Sequence, residues 1–196
     1  MYPLTSMPIH KNLLRIFALL MASIVVFAVA CGGSESEDEL FPQISDPGRV
    51  FSLDELIATP YKEVSNYSTE GLPGASDVSF GFMKIGSGEP YEYEVRFYES
   101  HQAAVDIGTA MAVEGSGADA IISGDDATYK EGVKNRRTII GGGFDSIGSG
   151  VDPKFGSYAI FGNIVMLCQA PDPETSLERC ALLANELMPS ERSRKK

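Results

Sequence analysis

Apolar and polar residues alternate most clearly over residues 91–98, where Tyr91, Tyr93, Val95 and Phe97 interleave with Glu92, Glu94 and Arg96. A period of two is that of a β-strand, with an aromatic face turned inward and a charged face left in water. Val78, Phe80 and Phe82 show the same period upstream, and Gly86-Ser87-Gly88-Glu89-Pro90 reads as the loop of an antiparallel hairpin. A second hairpin is predicted where Tyr158–Phe161 and Ile164–Cys168 flank Gly162-Asn163, a two-residue turn of types that tolerate positive φ. Both of its strands are apolar on both faces, which places them centrally.

Helical spacing follows each hairpin. Ser100 caps a segment running to about Val113, in which Ala104, Ile107 and Met111 share a face and Gly115-Ser116-Gly117 ends the helix. Asp172-Pro173-Glu174 is a cap, a proline at the first helical position and an acid for the helix dipole. Leu177, Cys180, Ala181, Ala184, Leu187 and Met188 then form one apolar stripe ended by Pro189. A capping box at Ser52–Glu55 predicts a short helix over about 53–58. Thr128–Arg137 reads as another short helix despite Gly132, and Gly141-Gly142-Gly143 with 146–150 as a loop. The order hairpin–helix, variable segment, hairpin–helix predicts an α+β fold. Its sheet is antiparallel, built from two β-hairpins in loosely similar halves, with helices packed on one face.

The first thirty residues have a different character. His10, Lys11 and Arg15 precede the run Ile16–Ala30, fifteen residues interrupted only by Ser23, which is short for a membrane span and fits a signal peptide's apolar region. Ala28-Val29-Ala30-Cys31-Gly32-Gly33 resembles the lipobox of bacterial lipoproteins, although that family most often carries Leu where Ala28 stands. The resemblance implies that diacylglycerol is attached to Cys31 and that the chain is cut before it. It further implies that the mature amino terminus is anchored on the extracytoplasmic side of a cell membrane. It covers about the first thirty-three residues and says nothing of activity. The ending from Phe155 through Leu187 also resembles that of small uncharacterised bacterial lipoproteins. The expected organisation is a signal peptide (1–30), a lipidated cysteine with an acidic tether (31–45), a single domain (46–190) and a charged tail (191–196).

Charge narrows the partners. Sixteen basic and 27 acidic residues give −11, and loss of Lys11 and Arg15 with the leader takes the mature chain to −13. Such a body argues against nucleic-acid binding and against adhesion to anionic head groups, so membrane attachment falls to the lipid on Cys31.

Candidate chemistry is sparse. His101 is the one histidine after export, which excludes paired-histidine metal sites, and no G-x-S-x-G elbow accompanies it. Ser193–Lys196 matches S-x-x-K by chance in a terminal tail. Gly141–Gly143 lacks the lysine and helix start of a phosphate loop, and Asp125, Asp126, Asp145 and Asp152 lack EF-hand spacing. No catalytic residue, metal ligand or cofactor is therefore assigned. Lys130, Lys134, Arg136 and Arg137 are four cations in an acidic chain. If helical, Lys130, Lys134 and Arg137 share a face, for an anionic ligand or for the protein's own acids. Cys168 and Cys180 remain as a pair for a disulfide outside the cytoplasm. These features favour a non-catalytic binding or interaction domain, its protein or small-molecule partner unidentified. The alternatives are an accessory subunit of a transporter or envelope assembly and, with less support, a carboxylate-based hydrolase.

Overall fold

A computed structural model describes residues 40–140 and 150–188. From Leu40 onward the chain forms its own unit. The signal peptide, Cys31, the start of the tether, Gly141–Gly143, Asp145 and the tail lie outside the described residues. Among the described residues no helix is long and apolar enough to cross a membrane.

Strands and helices are mixed as the α+β expectation requires, but the sheet is larger than two hairpins and is not purely antiparallel. Six strands lie in the order β1-β7-β8-β4-β3-β2: β1 Ile44–Ser45, β2 Lys62–Asn66, β3 Ala75–Met83, β4 Tyr91–Tyr98, β7 Phe155–Phe161 and β8 Ile164–Gln169. The predicted hairpins β3–β4 and β7–β8 form its centre, joined antiparallel through β4 and β8. β1 adds a parallel edge against β7, and β2 an antiparallel edge against β3. Strands β5 (Arg137–Ile140) and β6 (Gly150–Pro153) form a separate two-stranded arm.

The helices lie on both faces, not one. Helix α1 (Leu53–Ile57) carries the predicted capping box. Helix α3 (Pro173–Leu187) buries Leu177, Cys180, Leu183, Ala184 and Leu187 against Tyr93, Val95, Ala159 and Met166. Helix α2 (101–115) covers the opposite face, where Ala104 and Ala112 meet Ile160, Val165 and Leu167. It contains a π-helical turn, Ala104–Gly108, beside the buried ring of Tyr98. The double-faced apolar character of β7 and β8 demands these two layers, because a one-sided cover would leave Val165 and Leu167 in water.

Two further expectations fail. Residues 128–137 are not one helix, because Gly132 takes φ +68°. A short 3-10 turn, Val133–Arg136, follows, and Arg137 begins β5. A side chain at Gly132 would also lie 2.4 Å from the ring of Tyr67. The second failure is the wet face assigned to β4, since Glu94 and Arg96 are fully buried under the α2 layer.

The β7–β8 turn is locked to its surroundings. Gly162 takes φ +57°, while buried Asn163 accepts from Phe51 N at 2.6 Å and donates through Nδ2 to Phe51 O and Tyr98 O. Asn163→Ala therefore strands one backbone donor and two acceptors. The expected loss is about 2 kcal/mol by urea unfolding, and a loss under about 0.5 kcal/mol would show that the three groups find other partners.

Candidate functional site

Two polar assemblies stand out within this frame. The first is internal. Glu94 on β4 accepts at Oε1 from Arg96 Nε (2.9 Å) and Nη2 (2.7 Å) and from Arg136 Nη2 (3.0 Å), and at Oε2 from Arg136 Nε (2.8 Å). Arg136 also donates to the carbonyls of Tyr129 and Glu131. The Tyr129 ring lies beneath both guanidiniums, 4.8 Å from Arg136 and 5.6 Å from Arg96. Burial alone would raise the Glu94 pKa, but the charges and hydrogen bonds of Arg96 and Arg136 outweigh it and hold the carboxyl below its usual range. Two cations thus share one anion in the interior, and Arg96 Nη1 has no protein partner.

The second assembly is open. A cleft of about 500 Å3 lies where the arm, the start of β7, the end of β8 and the start of α3 meet. Phe155, Ala170, Pro153, Pro171 and Pro173 give it apolar walls, and Thr138, Asp152, Lys154, Gln169 and Arg179 supply polar groups. Gly156 permits the floor: a β-carbon there would fall 2.3 Å from Asp172 O, so only glycine lets β7 pass beneath the chain entering α3. Lys154 ties the pieces together. Its N–H donates to Arg136 O at 2.9 Å, its carbonyl accepts from Ala170 N at 3.1 Å, and its ammonium pairs with Glu92. Arg179 reaches in from α3, donates through Nη1 to Gln169 O, and stacks 4.0 Å from the Tyr91 ring centroid. Buried Arg136 is thereby both a member of the internal cluster and the backbone root of the arm that walls the cleft.

The basic run is dispersed. Arg136 is buried and committed to Glu94, Lys130 and Lys134 are exposed, and Arg137 is half-buried on β5. The loss of a single helix removes their shared face. Asp125 and Asp126 lie in an exposed turn, and Asp152 lies on the arm in the cleft wall. Among the described residues no group of three or more His, Cys, Asp or Glu is placed to hold a metal ion. His101 is half-buried and donates through Nδ1 to Gly162 O at 2.8 Å, so it braces the β7–β8 turn. Cys168 and Cys180 form the expected disulfide, with Cα atoms 5.7 Å apart.

Glu94 and Arg96 escaped sequence reasoning because alternation assigned them to water, and their partner Arg136 is forty residues downstream. Lys154, Gln169 and Arg179 carry no motif, and only the fold brings them together.

No curated protein and no solved structure matches the chain. Residues 52–189 match a family of unknown function (DUF6810), spanning both hairpins, the arm and all three helices, and the chain belongs to that family.

Proposed function

We propose that this protein is a lipid-anchored extracytoplasmic lipoprotein whose domain binds a ligand in the cleft beside Arg179 without transforming it. The cleft carries the reading. It has the size of ordinary small-molecule sites, apolar walls and a few convergent polar groups. Its lining holds one carboxylate, Asp152, and no His, Cys or Ser, whereas a carboxylate hydrolase needs two carboxyl groups facing each other. The Cys168–Cys180 bridge supports an oxidising compartment, in keeping with the lipobox-like Ala28-Val29-Ala30-Cys31.

Cys31→Ser tests the anchor. The variant is expected to accumulate as uncut precursor and to incorporate no labelled fatty acid. Labelling equal to that of the unaltered protein would remove the lipoprotein from the proposal.

A further inference from the structure

We propose that the cleft takes a small monocarboxylate with an apolar body and that Arg179 grips its carboxylate; this rests on the cleft being the binding site. The chemistry follows from which charges in the cleft are already occupied. Lys154 is paired with Glu92, which is itself held by its backbone N–H donating to Gln169 Oε1 at 2.8 Å. Arg179 makes no ion pair among the described residues. Asp172 lies within electrostatic reach of Arg179, but its two oxygens accept from Thr175 N (2.9 Å) and Thr175 Oγ1 (3.0 Å) as the cap of α3.

Arg179 is held ready. One N–H is anchored on Gln169 O, the guanidinium carbon sits over the Tyr91 ring, and the Arg179 carbonyl accepts from Tyr93 OH at 3.2 Å. Its neighbour Cys180 is bonded to β8. A guanidinium carries five N–H donors in a fixed fork, so donors remain for a carboxylate, and their orientation is set before binding. Asp152 on the arm limits the charge of the occupant. With one unpaired cation and one carboxylate in the lining, a single negative charge is favoured and a phosphate or dicarboxylate is opposed. Phe155, Ala170 and the three prolines then cover an apolar body.

Mature lipoprotein in detergent, labelled with nitrogen-15, is titrated with N-acetylphenylalanine, hexanoate and the uncharged amide of each. The acids are expected to shift the amide signals of Gly117, Gly156 and Ala170 and to bind at least tenfold more tightly than their amides. Arg179→Gln should erase that preference. Arg179→Lys, which keeps the charge but loses the fork, should retain part of it, and both variants are compared at melting temperatures matched to the parent. Acids and amides binding equally in the cleft would overturn the role of Arg179 and leave the binding site standing. No shift with either acid would overturn the monocarboxylate. If a library of neutral fragments also left those three signals unmoved, the cleft would fall as the binding site as well.

Discussion

Replacing Glu94 by alanine is expected to lower the stability of the domain by about 3–5 kcal/mol, the cost of breaking a buried ion pair from one side. The reason is the charge count. Among the described residues Glu94 is the only anion hydrogen-bonded to Arg96 and Arg136, and both guanidiniums are essentially inaccessible to water. Without it, Arg136 keeps the carbonyls of Tyr129 and Glu131, whereas the Arg96 guanidinium loses its two hydrogen bonds to Glu94 and keeps the Tyr129 face. Arg96 and Arg136 replaced together with Glu94 by apolar residues of similar volume should recover much of the loss, since the cost lies in the unpaired charge and not in the absence of polar groups. Urea unfolding of the single and triple variants measures both, and a loss below about 1 kcal/mol for Glu94→Ala would mean that water or another group reaches the guanidiniums.

The same cluster sets a pH dependence. Burial pushes the Glu94 carboxyl up, the two arginines pull it further down, and the folded value lies below the unfolded one of 4.5. A depressed carboxylate contributes stability that is fully present above its unfolded value and is lost as pH falls through its folded value. The stability difference between parent and Glu94→Ala is therefore expected to be constant at neutral pH and to shrink progressively as pH falls below 4.5 toward the folded value. A difference that already declines between pH 7 and 5 would contradict an ionised Glu94 in the fold.

Local chemistry was the legible layer of this protein. Ser52, Ser100 and Asp172 cap helices as their sequence context demands, and Gly162-Asn163 turns β7 into β8. Each of these signals acts within a few residues, where hydrogen bonding and φ preferences decide the outcome. The failures arise where distant residues decide. Alternation over 91–98 locates β4 but cannot tell a wet face from a buried ion cluster, because the deciding partner enters from residue 136. Strand β1 has two residues, too few to carry any period, and it exists through its pairing with Ile160 and Phe161. Gly132 outweighed the helical spacing of the basic run because its backbone adopts a conformation that only glycine takes readily, against the ring of Tyr67. The cleft combines residues from six stretches between Gly117 and Arg179, so no window of sequence contains it.

Removing the Cys168–Cys180 bridge as a Cys168→Ala, Cys180→Ala double variant is expected to cost about 3 kcal/mol, as loop closure predicts for a short loop. The two cysteines are twelve positions apart, on the last turn of pairing in β8 and on the buried stripe of α3. Neither is accessible to water, so the loss includes packing as well as chain entropy. Ser176, one turn before Cys180, donates to Cys168 O at 2.8 Å and holds the same junction after the bridge is gone, which is why the variant should still fold. Burial also determines how the bond is detected. Protein taken from the envelope and unfolded without reductant should resist alkylation at both positions and show a mass two hydrogens short, while reduction should succeed readily only after unfolding. The cleft gives a second readout, because Gln169 and Arg179 adjoin the two cysteines and their mutual hydrogen bond spans the bridged elements. Loss of the bridge should therefore broaden the amide signals around Gly156 and Ala170 more than those at the β3–β4 hairpin. Two freely alkylated thiols in the unfolded, unreduced protein would remove the disulfide and with it the support that it lends to an extracytoplasmic location.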